Sequence, residues 1–285
     1  MIVGGPTIAL RFAAPHRVFV PFLAGTAYAV REIGGPSASV LSPAGGALPR
    51  LGATLALGLL LTVAVALLRL WALGEGRATP FRQSLIMGGA GVSSGASVAI
   101  LIVAGSWIGV VLLLAVLTLE WLFFLPPLAL CRRFPCEPEL VAIEGVLAPL
   151  LGFVVIAARM PLPWSFVAVT GLAGASVAIA VFLQDPVRDA LPMRSVADLV
   201  PPVVAGAVAL ALATAALALV LAGAGPQMRA EHALLATPVA VMAAVFGWLS
   251  LADPRPDWRY RRLERLLGVC AFTLYGGLVL VLLFA

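Results

Sequence analysis

The sequence predicts an all-α, polytopic membrane protein, and three observations carry that prediction. First, 62% of the 285 residues are hydrophobic and 11% are charged, with a mean hydropathy of +1.10. Soluble domains hold about 45–50% apolar and about 25% charged residues. A water-soluble enzyme of this length is therefore excluded, as are a disordered chain, a collagen and a disulfide scaffold, for which three cysteines are too few. Second, the apolar residues fall into runs close to the roughly 20 residues that one helix needs to cross a bilayer. Third, the arginines between those runs are shared unevenly between alternate connections.

Nine runs can be drawn, at about 12–30, 50–73, 84–104, 107–130, 140–158, 164–183, 200–223, 233–252 and 265–284, and together they read as one transmembrane domain over 1–285. The first is taken as an ordinary span, although Arg17, the apolar stretch 18–25 and Ala27-Tyr28-Ala29 also have the three-part layout of a signal peptide. The third and fourth touch at Gly105-Ser106-Trp107. They are split there because together they exceed one crossing of about 30 Å at 1.5 Å per residue. The sixth carries Gly171 and Gly174, spaced for close helix packing. No run alternates with period two, as a closed barrel requires.

An odd number of spans puts alternate connections on opposite sides. Arg31, Arg50, Arg159 and Arg229 then fall on one side, and the remaining 14 of the 18 basic residues on the other. That asymmetry predicts an inner-membrane protein with its N-terminus in the cytoplasm. All 18 basic residues are arginine and the chain has no asparagine, which excludes a Schiff-base lysine and an N-glycosylation acceptor. A pI near 9.9 does not indicate nucleic acid, because the arginines form no basic domain.

The polar residues gather in the connections on the arginine-rich side. Asp185 and Asp189 are spaced i and i+4, which puts both carboxylates on one helix face. Two carboxylates so placed can hold Mg²⁺ together with a substrate phosphate, and Arg188 and Arg194 beside them can grip phosphate oxygens. The plainer reading is a solvated loop whose charges pair with one another. Within the runs, Glu120 and Glu144 stand at membrane depth, where a carboxylate faces the protein interior with a partner. Each either lines a cavity or forms a structural pair, and Arg69 is the available partner for Glu120.

Other candidates carry less. His16 and His232 fall on opposite sides and cannot share a metal. Cys131 and Cys136 have no second pair to complete a zinc site, and Cys270 sits in an apolar run. The glycine-rich 88–95 lacks the Lys-Ser/Thr of a phosphate loop and follows no strand.

Taken in order, these segments resemble the UbiA superfamily of intramembrane prenyltransferases over nearly the whole chain. Phe12-Ala-Ala-Pro15-His16-Arg17 leading to Pro21 and Gly25-Thr26-Ala27 is similar to that family's first helix. Gly76-Arg-Ala-Thr79-Pro80 and Gly91-Val-Ser93 resemble its second-to-third loop and the start of its third helix. Phe124-Leu125-Pro126-Pro127 with Arg132-Arg133 is similar to the segment closing its fourth helix, and Glu144-Gly145 to the start of its fifth. Asp185-x-x-x-Asp189 followed by Arg194-Ser195 resembles its second Asp-rich motif.

The resemblance implies a helical bundle around a cavity open to lipid, with Mg²⁺ and the diphosphate of a prenyl donor held by two Asp-rich motifs. A lipophilic acceptor is alkylated after the allylic diphosphate ionises. On this reading Asp185 and Asp189 are the metal ligands, Arg69, Arg77, Arg188 and Arg194 bind diphosphate, and Glu120 and Glu144 are cavity candidates. The chain departs from the pattern at the first motif. Asn-Asp-x-x-Asp should fall at Leu68, Arg69 and Ala72, none of which binds a metal, and Glu75 is the only acid nearby. The second motif contains Pro186 and has Met193 where a third acid is expected. A guanidinium at Arg69 can stand in for a metal's charge toward phosphate.

Two functions follow. One is an active prenyltransferase acting on an isoprenoid and a lipophilic acceptor. The other is a non-catalytic homologue that binds a quinone-like lipid or serves as a subunit of a membrane complex. A transporter is the third class, but the runs show no repeat in two halves and no matching pair of interrupted helices.

Overall fold

The computed structural model describes residues 16–34, 47–74, 79–125, 128–157, 164–182, 199–200 and 202–224. All regular structure among them is helical: α1 His16–Gly34, α2 Ala47–Gly74, α3 Pro80–Val103, α4 Trp107–Phe124, α5 Glu137–Ile156, α6 Trp164–Phe182 and α7 Pro202–Ala224. The runs expected at 233–252 and 265–284 lie outside the described residues.

Gly52–Ala72, Pro80–Val103, Trp107–Phe124 and Glu137–Ile156 are each long and apolar enough to cross a membrane. The outward faces of the first three carry large apolar side chains, among them Leu59, Val92, Val103 and Val111. A surface of that kind over several helices needs lipid rather than water against it. The chain is a multi-pass membrane protein.

The sequence also specifies how the elements start and stop. Pro80 opens α3, where its missing N–H costs nothing. Thr79 caps the helix by accepting a hydrogen bond from the Arg82 N–H at 3.4 Å. α3 stops in a Schellman turn: the Ser106 N–H reaches the Leu101 carbonyl and the Gly105 N–H the Ile102 carbonyl, both at 2.9 Å. Gly105 takes φ +69°, a conformation that favours glycine. In α5, residues Val141–Leu147 widen into a π-helical stretch. It ends two residues before Pro149, which has no N–H to give Gly145 and whose ring would strike that carbonyl in an α-helix.

The chain divides into two compact units, one of residues 1–130 and 147–162, the other of 131–146 and 163–285. In the first, α2 turns Leu57, Leu61, Ala64, Val65 and Leu68 inward, a stripe at helical spacing. α4 does the same with Gly109, Leu113, Val116, Glu120 and Phe124. α1 and the second half of α5 cross at two glycines. A Cβ on Gly25 would overlap the Pro149 carbonyl, and one on Gly152 would overlap the Phe22 carbonyl. Thr26 seals the crossing, its hydroxyl lying 3.1 Å from the Phe22 carbonyl and 3.4 Å from that of Gly152. Beyond it, Ala29, Phe153, Val154 and Ala157 form a buried cluster against which Tyr28 packs.

In the second unit α6 lies against the first part of α5. Gly145 faces Gly171 and Gly174 there: a Cβ on it would sit 3.2 and 3.3 Å from their Cα atoms. Ala205, Ala209, Ala213 and Ala216 form a buried small-residue stripe on α7. Ser176 of α6 donates a hydrogen bond to the Ala209 carbonyl at 2.7 Å. Small faces and polar side-chain bonds of this kind hold helices together where lipid offers no hydrophobic drive.

Candidate functional site

Among the described residues of the first unit, a buried ion pair joins α2 to α4. Arg69 is 1% exposed and Glu120 0%. The Arg69 Nε lies 3.0 Å from Glu120 Oε1 and 3.2 Å from Oε2, and Nη2 lies 2.5 Å from Oε1. The carboxylate thus takes one edge of the guanidinium, and the Phe124 ring lies 5.7 Å from Cζ. Arg69 is five residues from the end of α2 and Glu120 four from the end of α4, or about 6–8 Å inside those ends at 1.5 Å per residue. Both C-terminal helix dipoles favour a cation there and disfavour a carboxylate. Arg69 therefore offsets the cost of burying the Glu120 carboxyl. The partnership the sequence allowed for Glu120 is the one the fold makes.

Beside the pair, α2, α3 and α4 enclose an apolar groove of about 330 Å³, lined by Leu68, Met87, Ala90, Gly91, Ser94, Leu114, Leu117, Thr118 and Trp121. Arg69 and Glu120 are not among its lining residues. Leu68 and Trp121 are their sequence neighbours, turned toward the groove.

In the second unit Glu144 lies within the π-helical stretch and is 2% exposed. Two further acids, Glu137 and Glu139, are buried at 4% and 1% in the first turn of α5. Sequence reading passed over them as part of a connection. Their signal was position, since acids favour the first turn of a helix. Cys131 and Cys136 are both buried and neither forms a disulfide. Among the described residues no group of three or more His, Cys, Asp or Glu side chains is placed to hold a metal ion. Arg132 and Arg133 are exposed.

Cys136 donates to the Cys131 carbonyl at 3.7 Å. Hydrogen bonding with Cys131, then burial, then the nearby Cys131, Glu139 and Glu137 push its pKa far above the ordinary thiol range. A raised pKa keeps the unreactive thiol form past the pH of about 8.5 at which a free cysteine ionises. In a Cys270→Ser background, maleimide labelling of Cys131 and Cys136, both buried, at about that pH is expected to be far slower in the folded protein than after unfolding. Equal rates would contradict this environment.

Of the residues singled out from the sequence, the structure brings together Arg69 and Glu120. Arg77, Asp185, Arg188, Asp189 and Arg194 lie outside the described residues.

The whole chain matches two solved structures. One is that of a digeranylgeranylglyceryl phosphate synthase, with a TM-score of 0.61 at 10% identity, over 98% of this chain and 99% of that one. The other is a UbiA homologue from Archaeoglobus fulgidus bound to GPP and Mg²⁺, with a TM-score of 0.52 at 14% identity, over 98% of this chain and 100% of that one. The chain has the UbiA-type fold. No protein-family model and no curated protein sequence matches it. The likeness thus lies in the path of the backbone, and at 10–14% identity the side chains have diverged. Arg69 lies on the α2 segment where the sequence resemblance placed the first Asp-rich motif, and Glu120 meets it from α4.

Proposed function

We propose that this protein is a UbiA-superfamily member of the inner membrane, N-terminus in the cytoplasm, that binds an isoprenoid diphosphate and transfers its prenyl group to a lipophilic acceptor. The observation that carries the reading is the end-to-end likeness to two UbiA-type structures, one of them bound to GPP and Mg²⁺. The arginine asymmetry supports the orientation. In the reaction the allylic C–O bond breaks with its electron pair going to pyrophosphate. The acceptor then bonds to the prenyl carbon and gives up a proton. Arg77, Arg188 and Arg194 take the phosphate oxygens, where positive charge stabilises the leaving group. Arg69, with an edge committed to Glu120, acts by holding α2 and α4 together.

A divalent cation fits only part of such a site. Leu68 and Ala72 have no ligating atoms, and Arg69 repels a cation and is bound to a carboxylate. Asp185 and Asp189 are the pair we assign to Mg²⁺, which supplies charge neutralisation of the diphosphate when bound.

The loss of carboxylates at 68, 69 and 72 also favours a second reading, a homologue that binds an isoprenoid or quinone-like lipid without turnover, alone or as a subunit of a membrane complex. One experiment separates the two. Purified protein is given radiolabelled prenyl diphosphates, Mg²⁺ and a panel of aromatic and lipid acceptors, beside Asp185→Ala and Asp189→Ala. The enzyme reading expects pyrophosphate release from the unmodified protein and its loss in both variants. Saturable binding with no release selects the second reading. Neither binding nor release removes both.

A further inference from the structure

We infer that the groove between α2, α3 and α4 holds one hydrocarbon chain of an anionic phospholipid, whose phosphate lies at the start of α3 beside Arg82. The inference does not rest on prenyl transfer. It rests on a groove that is apolar along its length and basic at one end.

The α3 wall of the groove is Met87, Ala90, Gly91 and Ser94, which follow one helix face. That face continues to Gln83 and Ser84, four and three residues before Met87, in the first turns of α3. Next to them stands Arg82, exposed and about 7–8 Å of helix ahead of Met87. The first turn of α3 carries no acid, so the arginine's charge adds to the positive end of the helix dipole. A guanidinium and a helix N-terminus both favour phosphate oxygens. Trp121 walls the same end of the groove, 46% exposed and three residues from the end of α4. Exposed indoles favour the depth of lipid headgroups. The headgroup level is thus marked on two helices, and the groove runs inward from it as a lipid chain does.

The groove suits a chain rather than a helix. No charged residue lines it, and all three of its walls belong to spans, so hydrocarbon is what reaches its mouth. From Met87 to Ser94 is about 10 Å of helix, and 330 Å³ over that length leaves about 30 Å² in cross-section. A helix of a second copy, about 10–12 Å across with its side chains, does not enter. Arg82 then selects the lipid, because an anionic headgroup is drawn to a basic side chain at the membrane surface and a zwitterionic one has no net charge to offer.

The test is native mass spectrometry of the full chain in dodecyl maltoside, given equal amounts of phosphatidylglycerol and phosphatidylcholine with identical chains. One retained phosphatidylglycerol is expected, preferred by about fivefold, the scale set by one arginine at a membrane surface. Arg82→Gln should keep a lipid and lose the preference. A Cβ on Gly91 meets nothing, so Gly91→Leu should fill the groove, stay folded and lose the lipid. Excess geranyl diphosphate should leave the phosphatidylglycerol in place. Equal retention of the two lipids by the unmodified protein would overturn the inference, as would a folded Gly91→Leu protein that keeps its phosphatidylglycerol. Displacement by geranyl diphosphate would also overturn it, by making the groove an isoprenoid site. If Gly91→Leu does not fold, Thr118→Phe, at an exposed position on the α4 wall, blocks the groove from the other side and is read in the same way.

Discussion

Glu120→Ala is expected to cost about 3–5 kcal/mol, because it removes the carboxylate that faces the buried Arg69 guanidinium. Arg69→Ala should cost as much by stranding the carboxylate. The loss comes from desolvation rather than from the value of the bond itself. Two charges moved out of water regain roughly what they lost only while both are present. The double change Arg69→Met, Glu120→Leu should therefore be far milder than either single change, and close to neutral if the replacements fill the same space beside Phe124. Thermal unfolding of the four proteins in one detergent gives the coupling directly. Additive losses would show that the pair does not act as a unit.

Gly25→Leu and Gly152→Leu are the other large effects. The first β-carbon alone overlaps the backbone carbonyl of Pro149 or of Phe22, and a backbone carbonyl cannot swing aside as a side chain does. Overpacking typically costs about 1–3 kcal/mol, occasionally more, and these sites should exceed that range because the whole α1–α5 crossing must open. Even Gly25→Ala should lower the yield of folded protein. Gly52→Ala is the control, since a Cβ there meets nothing. It should slightly stabilise the helix, alanine being the better helix former by about 1 kcal/mol. Fluorescence-detected size exclusion in mild detergent, scored as the monodisperse fraction, reads all four. A Gly25→Leu protein as monodisperse as the control would contradict the crossing.

The features that were legible in the sequence share a cause. Lipid imposes a single demand, that backbone polar groups bond within the segment, so composition and run length dictate an all-helical membrane fold. The same demand made Glu120 conspicuous, since a carboxylate in an apolar run needs a partner and Arg69 was at hand. The third and fourth runs were separable because together they exceed one crossing, and the break falls at Gly105, whose positive φ suits the Schellman turn.

Other features were hidden for equally physical reasons. Gly25 and Gly152 sit 127 positions apart, and a glycine in an apolar helix does not announce which neighbour comes close. The π-helical stretch at Val141–Leu147 had a signal in Pro149, but a proline in a membrane run is equally compatible with a kink. Glu137 and Glu139 were passed over because they stand in the connection that carries Arg132 and Arg133. Their burial depends on how the start of α5 is seated, which spacing does not encode. The chemistry was less legible than the fold, because the position where the resemblance puts the first metal motif carries a guanidinium instead.

Native mass spectrometry of the protein released from nanodiscs, with geranyl diphosphate at increasing concentration in the presence of Mg²⁺, tests the central claim most directly. The account predicts a single saturable adduct of the intact diphosphate in the unmodified protein, lost in Asp185→Ala and retained in Arg69→Met, Glu120→Leu. An unmodified protein that stays folded and takes up no diphosphate at saturating ligand would contradict it.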